Sequence, residues 1–418
     1  MKIVLFTNFT PTRDNYRGPS AMMYHFFKNR PEDCKVLVFT TNSNHVSPEL
    51  IKKVEEELNA EIVVLKDTLY NYFHRRETLQ DLRIRLGIDS GYNISNYRLS
   101  QKYLKSIENF QPDFVWVYGE VHTEVIKQLS KYRLLVAGYD CFALHYNRLL
   151  RDAYCFSKRN LYKKALYKYQ IALTREIALK DIPCKIFDVG IADRDMFETI
   201  TGRKDASFYP HPHYDVFSKK IDFDKNKLSI LISGKLDEYT WSAACHLQHV
   251  MLEHSDLSEK YSVTFLGRGW EGFASSLKKC GYDVDMKSWV DVYADEVKKH
   301  DIQIFPISVG SGTKGKVLDA LCMGLLCIGT EVAMENIYVK DKQSCFVYKQ
   351  SEDIVGILNS IFSNRRLASV IAENGRRSVL KWHNPERILR KICDDIMGVE
   401  VYDAVAEYSE FLLNENKD

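Results

Sequence analysis

Residues Ile302–Thr330 read IQIFPISVGSGTKGKVLDALCMGLLCIGT, and the fold is decided in this stretch. An apolar run, Ile302–Ile307, bounded by Pro306 and Gly310, predicts a short buried strand. Gly310-Ser311-Gly312-Thr313 follows, small residues through which a backbone can bend tightly and approach a ligand closely. Val317, Leu318, Leu321 and Cys322 then share one helical face, and Gly324 is placed to close that helix. A second strand, Leu325–Thr330, comes next. Strand, glycine-rich turn, helix and strand make a βαβ unit whose helix N-terminus is open to an anion, because its unpaired N–H groups and dipole favour phosphate. Lys314 and Lys316 add positive charge there, and Asp319 lies one helical turn beyond Gly315, within reach of sugar hydroxyls beside a bound phosphate. Such a turn also occurs where it only packs a helix on a sheet. It is not a P-loop, which needs GxxxxGK[ST].

The longer pattern says more. GSGTKGKVLDALCMGLLCIGT resembles the GxGTxxKxxEAxAxGxPVVxT signature of nucleotide-sugar glycosyltransferases of the GT-B fold, in the large retaining GT4-like group. The resemblance implies an α/β chain of two Rossmann-like domains facing across a cleft, with a C-terminal helix crossing back to the N-terminal domain. It implies that Gly310, Ser311, Gly312, Thr313 and Lys316 bind the donor diphosphate and that Asp319, where Glu is usual, binds the nucleotide ribose. Leu325-Leu326 stands where the family has Pro-Val.

Length and composition agree with two soluble domains. The chain has 418 residues, 45% of them apolar and 27% charged. A formal net charge of +2 gives no argument for nucleic acid or another polyanion. The start, MKIVLFTNFT, reads as a first strand and not a signal peptide. No run approaches the ~18 apolar residues that a membrane-spanning helix needs. Ten cysteines without a CxxC pair and twelve histidines without HxxxH or HExxH spacing predict reduced thiols, a cytoplasmic protein and no metal site.

Along the first domain, expected at residues 1–215, a strand at 1–7 is followed by the loop Asn8–Ser20 and a helix at Met22–Lys28. A loop after the first strand of an open α/β sheet lies at the edge where ligands bind. The resemblance puts Gly18-Pro19-Ser20, in place of Gly-Gly, on the acceptor side; an ordinary surface loop is the other reading. Strands are expected at Lys35–Thr41, Glu61–Leu65, Asp113–Tyr118, Leu134–Tyr139 and Cys184–Val189, with a helix at Pro48–Leu58. DFVWVYGE and VAGYDCFALHYNR resemble bacterial sugar transferases with an acidic residue after this strand, which places Tyr118, Glu120, Tyr139 and Asp140 at strand ends. Asp140 is the candidate acceptor base or hydroxyl ligand; a helix N-cap is the alternative. Residues 66–100 give no clear reading. Residues 147–180 are helical and basic, with Arg148, Arg151, Lys158, Arg159, Lys163, Lys164, Lys168, Arg175 and Lys180 against Asp152 and Glu176 and interleaved tyrosines. They suit an anionic membrane face, peripheral at the inner side, a hold on a lipid-diphosphate acceptor, or a solvated face over an apolar stripe. GIADRDMF at Gly190–Phe197 matches the family's SEADR turn.

The charged run Lys219–Lys227 reads as a linker into the second domain, expected at residues 216–383. LSILISG, Leu228–Gly234, is followed by Lys235, where the family's strand end and following basic residue contact diphosphate. Arg268 in Gly267-Arg268-Gly269 reaches a phosphate or sits in a bare turn. Trp289 and Val290, in the segment that resembles the family's GFVDD, would wall the nucleotide base. Trp382 and Pro385–Met397 resemble the returning helix of residues 384–418.

The implied activity is transfer of a sugar from a UDP- or GDP-linked donor to an acceptor hydroxyl of a glycan or lipid-linked molecule in envelope polysaccharide or glycan synthesis. The donor is a co-substrate, and no cofactor or nucleic acid is called for. Lys235, Lys316 and the turn amides would stabilise the diphosphate leaving group without metal, with retention of configuration. A non-catalytic glycosyltransferase-like subunit and a GT-B sugar-nucleotide epimerase are the alternatives.

Overall fold

The computed structural model describes residues 1–14, 20–66, 86, 97–119, 123–137, 140–214 and 221–414. The chain divides into two compact units. Unit 1 comprises Met1–Tyr146, Leu166–Pro212 and Pro385–Glu407; unit 2 comprises Asn147–Ala165, His213–Asn384 and Tyr408–Asp418.

In unit 1 the strands are β1 (Lys2–Thr7), β2 (Lys35–Thr40), β3 (Glu61–Val64), β4 (Phe114–Tyr118), β5 (Leu134–Ala137), β6 (Lys185–Asp188) and β7 (Ala206–Phe208). They form one parallel sheet in the order β3-β2-β1-β4-β5-β6-β7. Strands covered by helices on both faces need continuous apolar runs, and FVWVY and LLVA are buried throughout. Val4, Phe6, Leu37, Phe39, Val115 and Val117 build one core layer. On the other side, Phe26 and Phe27 of the helix Ala21–Lys28 pack on Trp116, ring centroids 5.5 and 6.2 Å away. The helix Pro48–Leu58 starts where Ser47 accepts a hydrogen bond from the Leu50 amide, with Pro48 in its first turn. The helix Pro385–Met397 belongs to this unit, as the resemblance implied, and Asp395 on it pairs with Lys185 of β6 at 2.6 Å.

Unit 2 repeats the plan with β8 (Leu228–Ser233), β9 (Tyr261–Leu266), β10 (Asp283–Lys287), β11 (Ile302–Phe305), β12 (Leu326–Thr330) and β13 (Phe346–Tyr348). Its parallel order is β10-β9-β8-β11-β12-β13. In both sheets the strand order reverses beside the first strand, between β1 and β4 and between β8 and β11. Crevices for ligands open at the carboxyl ends of the strands at that reversal. Val317, Leu318 and Leu321 of the helix Gly315–Cys322 are fully buried against the sheet, and Gly324 ends the helix at φ +87°.

The two Rossmann-like domains expected from the sequence are present. The basic segment differs in detail. It forms three helices, Phe142–Arg151, Ala153–Ser157 and Arg159–Ile177, and its part Asn147–Ala165 belongs to unit 2. Asp152 breaks the run: its Oδ1 accepts from the Tyr154 and Cys155 amides, and also from Ser242 Oγ at 2.9 Å. Tyr154 stacks on Trp241 with centroids 5.0 Å apart. β10, with the sequence DVDMK, and the helix Gln101–Phe110 carry too many charges among their apolar residues to be read as elements in advance. Among the described residues no helix is long and apolar enough to cross a membrane.

Unit 1 also buries acid. Asp188, at the end of β6, is fully enclosed, and neither carboxyl oxygen finds a hydrogen-bond partner among the described residues. Burial, reinforced by the nearby Asp193, Glu176 and Asp140, lifts its pKa well above the usual carboxylate range. The fold therefore holds this proton more tightly than the unfolded chain does. The associated stability is present below the unfolded value and is lost as pH rises through the folded one. Asp188→Asn is expected to raise the thermal midpoint by roughly 2–5 °C at pH 7 and to change it little near pH 4. Equal shifts at both pH values would show that Asp188 is not held protonated.

Candidate functional site

The reversal between β8 and β11 places two loops side by side in unit 2. One is Gly234–Thr240, after β8; the other is Pro306–Lys314, after β11. They are tied together, since the amides of Ser308 and Val309 both donate to Tyr239 O, at 3.0 and 3.1 Å. Tyr239 is in turn fixed through its own amide, which donates to Asp237 Oδ1 at 3.1 Å.

Position 234 favours glycine through its backbone and lies close to Lys316. Its φ is +122°, and a Cβ there would stand 3.2 Å from Lys316 Nζ. Lys316 as a residue stays exposed, but its ammonium reaches back over Gly234, and lost hydration there pulls its pKa below the ordinary lysine value. Asp319 and Asp237 act in the opposite direction. Lys235 is exposed on the same loop. Burial lifts the Asp237 carboxyl above its usual range, opposed by the Lys235 and Lys316 ammonium groups. Those two cations therefore share one neighbourhood.

The next loop is held just as closely. Gly267 has φ +138°, and a Cβ on it would lie 2.1 Å from Gly234 O. That oxygen accepts from Trp270 Nε1 at 2.7 Å, and the Leu236 amide donates to Arg268 O at 2.9 Å. Arg268 is exposed, with no ion pair among the described residues. Lys235, Arg268 and Lys316 thus stand around one packed set of strand ends, with no salt bridge to any of them among the described residues.

Lys314 does otherwise. The sequence offered it to the anion alongside Lys316, but its ammonium is committed within the protein. It donates to Ser311 O at 3.1 Å, Gly312 O at 2.9 Å and Glu335 Oε1 at 3.0 Å. Arg148, read as part of a solvated or membrane-facing basic run, joins it there, with a two-pronged pair to Glu335 at 2.6 and 2.9 Å. Arg148 and Glu335 are 187 residues apart in the chain, so no spacing could have announced this cluster.

Asp319 faces the site from the helix Gly315–Cys322 with its Oδ1 3.5 Å from Nε2 of the buried His213. Nearby, Ser233 Oγ, Tyr293 OH and Gln303 Nε2 form a partly buried polar knot at 2.7–3.3 Å. Burial raises Tyr293 to about 12, so its hydroxyl stays protonated. His213, Tyr293 and Gln303 were not singled out from the sequence, since isolated polar residues carry no pattern. Val290 is half-buried and Trp289 is 77% exposed, both just past β10.

In unit 1, Tyr118 ends β4 fully buried, its hydroxyl pushed far up by burial and by Asp140. Asp140 is half-exposed after β5, beside Cys141, whose amide donates to Asp193 Oδ1 at 2.9 Å. The Ser20 hydroxyl is buried 2.6 Å from Thr12 Oγ1. Gly18, Pro19, Glu120 and Tyr139 lie outside the described residues. Among the described residues, no group of three or more His, Cys, Asp or Glu is arranged to hold a metal.

No protein-family model matches the chain. No curated protein matches it either. Solved structures do match over nearly its full length. HepE from Anabaena, in complex with UDP, is 12% identical with a TM-score of 0.59, over 95% of this chain and 100% of that one. Sucrose-phosphate synthase from Thermosynechococcus elongatus is 12% identical with a TM-score of 0.61, over 94% and 97%. WaaG, a glycosyltransferase involved in lipopolysaccharide biosynthesis, is 12% identical with a TM-score of 0.55, over 95% and 100%. The fold is GT-B. At this level of identity the likeness is one of fold, and the chemistry has to be argued from this chain's own residues.

The contact between Gly267 and Gly234 gives a direct check of the strand-end geometry. Gly267→Ala drives a methyl group into a backbone carbonyl at a positive φ, which costs on the order of 3 kcal/mol. A matching fall in the urea midpoint is expected, and an unchanged midpoint would show that the loops do not approach this closely.

Proposed function

We propose that this protein is a glycosyltransferase that moves a sugar from a nucleoside diphosphate donor to an acceptor hydroxyl. The observation that carries the reading is the arrangement at the β8/β11 reversal. A glycine turn and the first amides of a helix lie beside Lys235, Arg268 and Lys316; Asp237 and Asp319 are within electrostatic reach of Lys316, but none of the three cations is in a salt bridge among the described residues. Cations outside salt bridges at a helix N-terminus suit a diphosphate. That HepE was solved with UDP and with UDP-glucose makes UDP the first nucleotide to try, with GDP second.

In this reading the donor belongs to unit 2. The β-phosphate faces the turn Gly310–Thr313 and the Lys316 ammonium, with Gly234 giving close backbone approach and Lys235 and Arg268 completing the positive surround. Asp319 accepts from a ribose hydroxyl, oriented by His213. Trp289 and Val290 flank the base. As the glycosidic bond to the diphosphate breaks, negative charge grows on the leaving phosphate. Lys316, Lys235 and the turn amides stabilise that charge, with no metal in the scheme and retention of configuration. The partly dehydrated Lys316 ammonium is a stronger partner for that charge than one fully in water. The acceptor is assigned to unit 1, with Asp140 as base or hydroxyl ligand near Tyr118; Gly18, Pro19, Ser20 and Glu120 are kept on the acceptor side on the strength of the sequence alone.

Lys316→Ala is expected to weaken UDP binding about 10–100-fold, the effect of losing a charged hydrogen bond worth about 1.5–3 kcal/mol, while leaving the thermal midpoint in place. Calorimetry with UDP, GDP, ADP and CMP on wild type and variant is the measurement. A wild-type chain that bound none of them would be a non-catalytic relative, and undiminished binding by the variant would remove Lys316 from the donor site.

We further place the protein in the cytoplasm, peripheral to the inner membrane face, acting on a lipid-linked or polysaccharide acceptor. Phe156, Lys158, Arg159, Lys163, Lys164, Leu166 and Tyr167 are all exposed, mixing charge with apolar area. Co-sedimentation with vesicles containing anionic lipid is expected at low salt and should be lost at high salt. No sedimentation at low salt would dispose of the membrane assignment.

A further inference from the structure

The turn Gly310–Thr313 has two glycines and little bulk, so something must hold it in one shape. Its carbonyl oxygens show what does. Gly310 O accepts from Arg148 Nη1 at 2.7 Å. Ser311 O and Gly312 O accept from Lys314 Nζ at 3.1 and 2.9 Å. Gly312 O also accepts from Asn336 Nδ2 at 3.2 Å. Both cations close on the one carboxylate of Glu335, with Arg148 gripping both of its oxygens and Lys314 sharing Oε1. The cluster is mostly shielded, the side chains of Arg148, Glu335 and Lys314 being 23%, 19% and 12% exposed.

In a trans peptide unit the carbonyl of one residue and the N–H of the next point in opposite directions. Tying back the oxygens of Gly310, Ser311 and Gly312 therefore directs the amides of Ser311, Gly312 and Thr313 away from the cluster. Those are the amides that the donor reading assigns to the phosphate. Left untied, a two-glycine turn would sample many shapes and would have to be ordered by each ligand that bound.

We propose that Arg148, locked on Glu335, is a positioning residue that pre-forms the diphosphate-binding turn and never touches the ligand itself. This rests on the donor-site reading. It divides the cations of the site into two jobs: Arg148 and Lys314 hold carbonyl oxygens, and Lys316 meets the phosphate. Arg is suited to its place because one planar fork serves both carboxylate oxygens and a carbonyl in a fixed geometry, whereas a lysine offers three donors on a single point charge without that fork.

The test uses the full chain as wild type, Arg148→Ala, Arg148→Lys and Glu335→Gln. Backbone hydrogen exchange over residues 308–316 is followed without nucleotide, and UDP and GDP affinities are measured by calorimetry. Arg148→Ala is expected to speed exchange in the turn, with other segments unchanged, and to weaken nucleotide binding by roughly tenfold or more, the scale of one charge-assisted hydrogen bond. Arg148→Lys should recover part of both losses, and Glu335→Gln should move both readouts in the same direction as Arg148→Ala. If Arg148→Ala does not fold, Glu335→Gln, which keeps the volume, carries the test alone. Unaltered turn exchange, or wild-type nucleotide affinity in folded Arg148→Ala and Glu335→Gln, overturns the inference and leaves the donor reading standing. A wild-type protein that binds neither UDP nor GDP overturns both.

Discussion

The parallel pairing of β11 beside β8 is what the rest of the candidate site depends on. Ile302 lies opposite Ile230 and Gln303 opposite Leu231. A shift of one residue would turn each buried side chain of β11 to the wrong face. The same register brings the loop after β8 against the loop after β11, close enough for Tyr239 O to take two amides from the second loop. The short contact between Gly267 and Gly234 then draws the loop after β9 into the same place. Three strand ends become one rigid surface, and the glycines are there because backbone, not side chain, has to meet backbone.

Charge at that surface is sorted by what each cation can reach. Lys314 and Arg148 are near carbonyl oxygens and Glu335, and are held by them. Lys316, two residues past Lys314, projects over Gly234, where its ammonium has lost hydration without gaining a salt bridge among the described residues. A cation in that condition favours an incoming anion more than a fully solvated one does. Unit 1 is built the opposite way at its strand ends. Asp188, Asp193 and Glu176 are enclosed there with Asp140 near the surface. Positive strand ends in one unit and enclosed acid in the other are what the proposed division of donor and acceptor would call for.

Much of the α/β plan was legible in the chain because each strand and helix is a local pattern. Buried parallel strands need unbroken apolar runs, and FVWVY, LSILIS and LCIGT provide them. Helix ends announce themselves through residues such as Ser47-Pro48 and Gly324. Among the elements that escaped notice, β10 and the helix Gln101–Phe110 are half-exposed and carry charges that blur their period, and β7 and β13 are only three residues long. The GSGTKGKVLD segment pointed to the turn, the helix and Lys316, because those lie within a few consecutive residues.

The sequence by itself thus determined two Rossmann-like units, the position of the glycine turn and the presence of basic residues around it. Only the tertiary structure decided which of those basic residues stay open. The motif singled out Lys316, but nothing local told what Lys314 does: it is spent on Glu335 and the turn's oxygens while Lys316 reaches over Gly234. The reason is that electrostatic partners are chosen by distance in space. Glu335, Arg148, His213 and Gln303 come to the site from separate parts of the chain, and no local pattern records that they meet.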